Sequence, residues 1–292
     1  MTKIFFITVL LSSSSILVAQ TEALKPFILK VDGRERIYYL HIPEDLPYDA
    51  PLVFVLHGYG GNAKDMIPFT KMNSIAEKNG FAVCYPEAVL GADDAKSWNV
   101  GYSNYDIDDL KYLSTLAQNL QKEYKLSPKN TFSTGMSNGG DMSIQLAIKR
   151  PDIFSAVASV VGCLMNWLYE ESSNSPPISV FMTNGTKDGI TFWNGEVDYP
   201  AKPINGYLST PQMLKYWLDK NQCSTPSESK SVDINKSDGS HVKVEKWKNC
   251  DSKKQVWMYS VINGAHDWPG SSGNMDLMIS EEIWSFFSQF IK

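Results

Sequence analysis

The chain has 292 residues, is 43% hydrophobic, 20% charged and 12% aromatic, and sets 27 Lys and Arg against 32 Asp and Glu for a net charge of −5. These fractions exclude a disordered or collagen-like chain, and an acidic balance lacks the basic footprint of a nucleic-acid binder, so no nucleic-acid partner is expected. The length suits two average domains or one large α/β domain, and 8 Trp with 14 Tyr hint at a surface for flat or sugar-like ligands.

The first twenty residues read as a secretory signal peptide. Lys3 gives a short positive start, Ile4 to Leu11 is apolar apart from Thr8, and a Ser run leads to Ala19, with cleavage near Ala19 or Gln20. The apolar run is shorter than the ~18–20 residues a membrane span needs. An exported chain, extracellular or periplasmic, with no membrane partner after signal removal, is therefore expected.

Phe27–Val31 and Arg36–Ile42 alternate about Asp32-Gly33, the pattern of a hairpin. Pro51–Leu56 is a continuous apolar run of strand length, as a buried strand requires. A helix is predicted over Met66–Lys78 and a strand over Phe81–Tyr85. Ile107, Leu110, Leu113, Ala117, Leu120 and Tyr124 share one helical face. Thr131–Thr134 reads as a strand, Gly140–Lys149 as a helix, and Phe154–Val161 and Ile178–Thr183 as strands. Met213–Lys220 (helix), Val256–Val261 (strand) and Met278–Ile291 (helix) complete the chain. This alternation predicts an α/β class: a mostly parallel sheet with antiparallel first strands and helices on both faces. No repeat, linker or composition shift divides residues 21–292, so one domain is expected. The irregular stretches 87–105, 162–177 and 185–210 all follow strands, where α/β sheets carry their ligands.

The strongest chemical signal is Thr134-Gly135-Met136-Ser137-Asn138-Gly139-Gly140, a Gly-x-Ser-x-Gly run between a predicted strand and a predicted helix. Such a turn exposes the Ser hydroxyl above a helix N-terminus. A serine nucleophile needs a base. Of His41, His57, His241 and His266, only the last two follow Ser137 in the chain order of this elbow. His241 sits in a polar segment and reads as a solvated loop residue. His266 follows the last strand and is the candidate base. Asp188 is the first carboxylate after Ile178–Thr183 and the candidate acid, with Asp198 and Glu196 as fallbacks. Asp267, adjacent to the histidine, would point elsewhere. The oxyanion donors expected are the N–H of Asn138 and, from the loop Leu56-His57-Gly58-Tyr59-Gly60-Gly61, the N–H of Tyr59. His57 reads as structural.

In an exported chain the four cysteines can pair. A Cys223–Cys250 bridge would close a polar, floppy loop of about 26 residues, stabilising by roughly 3 kcal/mol. Cys84 and Cys163 lie in apolar runs and read as buried free thiols. Neither pair has metal-site spacing, so no metal is expected.

Together these motifs resemble the esterase/polyhydroxybutyrate-depolymerase family of α/β-hydrolases, which includes secreted feruloyl and acetyl xylan esterases of carbohydrate esterase family one. The resemblance runs over about residues 27–291. It rests on His57-Gly58-x-x-Gly61, the elbow at 135–139, Asn184-Gly185-Thr186-x-Asp188 and Gly264-x-His266-x-Trp268-Pro269-Gly270. A Trp-Asn element and an Asp-Asp pair at a helix start also recur in the family and match Trp98-Asn99 and Asp108-Asp109, as does a bridge matching Cys223 and Cys250. The chain departs from the family at Asn184 (often His), at Asp267 (often Thr) and at Ile190-Thr191-Phe192-Trp193 (usually Val-Pro-Tyr). The resemblance implies a secreted serine carboxylester hydrolase without cofactor, acting on small or polysaccharide-linked feruloyl or acetyl esters. The alternatives are a polyhydroxyalkanoate depolymerase and, from another class, a non-catalytic carbohydrate-binding homologue. Trp98, Tyr102, Trp193 and Trp268 are candidate stacking walls for ferulate or sugar. The competing reading packs Trp268 under the histidine loop and Trp98 in the core.

Overall fold

A computed structural model describes residues 25–91, 94–101, 106–195 and 206–292. The signal segment 1–20, Tyr102 and the fallback acids Glu196 and Asp198 lie outside the described residues. Ten strands form one sheet: β1 (Phe27–Val31), β2 (Arg34–His41), β3 (Leu52–Leu56), β4 (Ala82–Pro86), β5 (Thr131–Met136), β6 (Ala156–Val160), β7 (Ser179–Gly185), β8 (Glu228–Val232), β9 (His241–Trp247) and β10 (Val256–Ile262). Their order is β1-β2-β4-β3-β5-β6-β7-β10-β9-β8. The six strands from β4 to β10 run parallel, while β1–β2 and β9–β8 close the two edges antiparallel. This is an α/β-hydrolase sheet.

The central strands are apolar on both sides because both faces are covered. In β3 the pleat sends Leu52, Phe54 and Leu56 to one core and Val53 and Val55 to the other. On the first face lie α3 (Asp109–Glu123), α4 (Asn138–Lys149) and α6 (Thr210–Asn221), contributing Leu113, Leu116, Ile144 and Trp217. The second holds α1 (Ala63–Thr70), α2 (Met72–Asn79) and α7 (Ile279–Phe287), contributing Met66, Ile75, Ile283 and Phe287. A short α5 (Asn166–Glu171) lies in the stretch read as irregular.

Two expectations need correction. The single helix predicted over 66–78 is two, broken where Lys71 adopts a left-handed φ of 55°. Apolar spacing continues across the break, so periodicity does not reveal it. The segment between the cysteines is no floppy loop: it contains β8 and β9, and His241 opens β9 opposite Ile262. In β9 the inward positions are Val242, Val244 and Lys246, and a buried lysine disguises the alternation. Its ammonium lies 4.0 Å from the centre of the Trp257 ring, which offsets part of its desolvation. The Cys223–Cys250 disulfide ties the end of α6 to the end of β9, and Cys84 and Cys163 are buried and take no part in a disulfide.

Candidate active site

The parallel strands all end at one edge, so the loops after β3, β4, β5, β7 and β10 gather there. Ser137 occupies the turn between β5 and α4 at φ 54° and ψ −123°, a conformation that costs a non-glycine residue about 1–3 kcal/mol. Its own N–H donates to the Val160 carbonyl at 2.8 Å and its carbonyl accepts from the Asp141 N–H at 2.9 Å, which hold the strained unit in place. The flanking glycines are sterically required. A Cβ on Gly135 would lie 2.5 Å from the Gly139 backbone, and one on Gly139 would lie 2.5 Å from the Leu56 carbonyl oxygen. The same closeness places the β3 loop against the serine: a Cβ on Gly58 would sit 3.5 Å from Ser137 Cβ.

That loop is tied from behind. The Ala88 N–H donates to His57 Nε2 at 3.0 Å, so this nitrogen carries no proton, and His57 Nδ1–H donates to the Gly58 carbonyl at 2.7 Å. Burial pushes the imidazole pKa below its usual 6.5, keeping this neutral tautomer. His57 is thus a structural histidine, as its position in the chain suggests. The Gly60 N–H donates to the Lys96 carbonyl. The Lys96 ammonium pairs with Glu87, whose other oxygen accepts the Ala63 N–H at the start of α1.

At the ends of β7 and β10, His266 Nδ1 and Asp188 Oδ2 are 2.8 Å apart, and the Asp188 side chain is fully buried. Asp188 Oδ1 accepts the N–H groups of Ile190 at 2.8 Å and Thr191 at 2.9 Å. Both oxygens are therefore used, and the carboxylate is fixed in place against the ring. The two loops are stitched together by Thr186 N–H to the Val261 carbonyl and Lys187 N–H to the Gly264 carbonyl, both 2.9 Å. A carboxylate oxygen can only accept at this contact, so Nδ1 is the ring nitrogen that donates and Nε2 is the one Asp188 does not engage.

Of the four aromatic residues expected to stack on a ligand, two are excluded. Trp98 and Trp268 are completely buried and present no face to a ligand. Trp268 packs beneath the histidine loop, its indole N–H donating to Ser280 Oγ at 3.0 Å and its ring facing Phe69. Trp193 is half-buried against the core, with its carbonyl capturing the Thr210 N–H at the start of α6. The exposed apolar side chains beside Asp188 are instead Ile190 (59% exposed) and Phe192 (40%), and Tyr59 is 51% exposed on the β3 loop.

Sequence reasoning also missed the role of Arg36. Its guanidinium is buried, 2.6 Å from Asp109 Oδ1 and stacked 3.8 Å from the centre of the Tyr112 ring. The second Asp109 oxygen accepts the Asn99 N–H at 2.8 Å, anchoring the loop that follows Trp98. Burial raises the Asp109 carboxyl pKa although Arg36 pulls it down. The neighbouring Asp108 caps α3 by accepting the Lys111 N–H. The cue in the sequence is an arginine in a strand whose alternate positions are apolar. Asn184 donates to the Gly162 carbonyl at 3.0 Å. Among the described residues no group of three His, Cys, Asp or Glu side chains is arranged to hold a metal, and no helix is long and apolar enough to cross a membrane.

The signature of the esterase PHB depolymerase family matches residues 37–206. NocK of Nocardia uniformis subsp. tsuyamanensis, which carries an esterase name, is 28% identical over 257 residues, covering 83% of this chain and 73% of its own. Feruloyl esterase B of Piromyces equi is 23% identical over 82% of this chain, which spans only 42% of that relative's length. Among solved structures, an acetyl xylan esterase from Aspergillus awamori superposes with a TM-score of 0.63 at 14% identity, over 87% of this chain and 94% of that one.

Proposed function

The chain belongs to the esterase/polyhydroxybutyrate-depolymerase family, and on that premise we propose that it is an exported serine carboxylester hydrolase, with residues 21–292 forming one esterase domain behind a signal peptide at 1–20. Ser137 Oγ attacks the ester carbonyl carbon while its proton passes to His266 Nε2. Asp188 holds the imidazole in the required tautomer and stabilises the imidazolium. The N–H groups of Asn138 and Tyr59 receive the developing oxyanion. Collapse breaks the C–O bond to the alcohol, which leaves with the proton from His266. Water then attacks the acyl-enzyme, again through His266, and releases the acid and free Ser137. No cofactor takes part.

The observation that carries this reading is the 2.8 Å contact between His266 Nδ1 and a fully buried, doubly anchored Asp188, on the edge of the sheet where Ser137 is held in its strained turn. A binding protein has no need for that strain or for a basic nitrogen fixed in one tautomer. For substrate we favour feruloyl or acetyl esters borne by polysaccharides. A relative named feruloyl esterase B supports this, as do the exposed Ile190 and Phe192, which offer an apolar surface next to Asp188.

The test is a rate panel with one purified enzyme: methyl ferulate, acetylated xylan, 4-nitrophenyl acetate and a hydroxybutyrate oligomer. The highest kcat/KM among the natural-type esters should fall on the ferulate or the acetylated xylan. A preference for the hydroxybutyrate oligomer would move the assignment to the depolymerase branch, and no turnover of any ester would refute the hydrolase reading.

A further inference from the structure

We propose that Trp98 is a positioning residue that sets the spacing between the two oxyanion donors. The inference rests on the serine-esterase reading above and assigns a task to a tryptophan that cannot touch a ligand. Its indole N–H donates to the His57 carbonyl at 2.9 Å, and its ring lies 5.3 Å from the His57 ring. Its main chain is gripped from the other side by one residue. The Trp98 N–H donates to Asn138 Oδ1 at 2.7 Å, and Asn138 Nδ2 donates back to the Trp98 carbonyl at 3.1 Å. Asn138 is the residue after the nucleophile, the first of α4. Trp98 therefore spans the gap between the donor at the elbow and the donor on the β3 loop, and is bonded to both sides.

Peptide planarity turns this bonding into aim. In a trans peptide the C=O of one residue and the N–H of the next point in opposite directions. The Trp98 indole holds the His57 carbonyl inward and so turns the Gly58 N–H outward. The next unit is fixed in the same way: His57 Nδ1–H at 2.7 Å and the Gly61 N–H at 3.1 Å both hold the Gly58 carbonyl, which orients the Tyr59 N–H. The Asn138 side chain fixes the other end of the span. All of these bonds among Trp98, His57 and Asn138 are buried, so no water replaces a lost donor.

Trp98→Phe keeps an aromatic ring and deletes the indole N–H. Asn138→Ala keeps the backbone donor and releases Trp98. Kinetics with 4-nitrophenyl acetate, inhibition by an aryl trifluoromethyl ketone (which adds to the serine and places an oxyanion between the donors) and thermal melts are measured for each. Removing an oxyanion donor outright costs about 10²–10³ in rate, and misaiming one should cost roughly 10- to 100-fold. The expected result is a fall of that size in kcat, with KM within about twofold of wild type and ketone affinity falling by the same factor. Because both changes cut one span, the double variant should be no worse than the more damaging single one. Packing alone would lower the melting temperature without this split. A Trp98→Phe enzyme with kcat and ketone affinity within twofold of wild type, or additive losses in the double variant, would overturn the proposal. Should Trp98→Phe fail to fold, Asn138→Ala decides: a loss confined to kcat supports the span, and an unchanged kcat refutes it. Activity surviving Ser137→Ala would instead overturn the esterase reading beneath it.

Discussion

Asp188→Asn separates catalysis from stability at one atom. Asp188 Oδ1 accepts two backbone N–H groups, from Ile190 and Thr191, while Oδ2 faces His266 Nδ1. An asparagine whose Oδ1 keeps both backbone bonds must present its NH₂ to the imidazole. The ring can then meet it only with an unprotonated Nδ1, so the proton moves to Nε2 and the base is lost. The corresponding change in a serine triad costs about 10⁴ in kcat. The stability loss is far smaller. Two charge-assisted bonds become neutral ones, a difference of about 1 kcal/mol each, and for a chain of this size the melting temperature should fall by roughly 4–8 °C. Asp188→Ala instead leaves three donors unpaired, the Thr191 N–H buried and the other two partly so, at about 1–3 kcal/mol for each donor that water cannot reach, so both activity and fold should suffer. Initial rates on 4-nitrophenyl acetate and thermal melts on the same preparations make the comparison. An Asp188→Asn enzyme retaining more than a tenth of wild-type kcat with a near-native melt would refute Asp188 as the carboxylate that orients the base.

Three further outcomes follow from the packing. Replacing Cys223 and Cys250 by serine opens a loop spanning 27 positions. This should cost about 3–4 kcal/mol, seen as a lower denaturant midpoint that reductant reproduces in the wild type; an unchanged midpoint would contradict it. Arg36→Met strips Asp109 of its buried cation and should cost about 3–5 kcal/mol, with Asp109→Leu in the same chain recovering part of the loss; a double variant less stable than the single would refute a pairing role. His57 is held neutral by burial, which lowers its pKa below 6.5 in the folded chain. The unfolded chain takes up that proton first, so this contribution to stability is full above pH 6.5 and is lost as pH falls towards the folded value. The wild-type melting temperature should therefore drop more between pH 7 and 5 than that of His57→Gln, and superimposable slopes would exclude the effect.

Much of the site was legible because steric need writes itself into sequence. Gly135 and Gly139 cannot carry a side chain against Leu56, and the strained Ser137 needs both, so the elbow is readable from five letters. Asp188 was legible as the first carboxylate after β7, and its contact with His266 follows from β7 and β10 being neighbours in the sheet. The tryptophans were not legible in this way. Whether an indole stacks on a ligand or spans a gap in the core depends on partners 40 residues distant, such as Asn138 for Trp98, and no local pattern encodes them. The β8–β9 hairpin was hidden because an edge strand such as Glu228–Val232 exposes most of its side chains and carries no apolar period. The break between α1 and α2 was hidden because Lys71, not glycine, takes the left-handed conformation.

The central claim is that Ser137 is the nucleophile. Labelling with a fluorophosphonate probe, read by intact mass and by peptide mapping, tests it most directly. One adduct per chain on Ser137, absent in Ser137→Ala together with esterase activity, is the predicted result. An unlabelled wild type, or label and turnover persisting in Ser137→Ala, would contradict it.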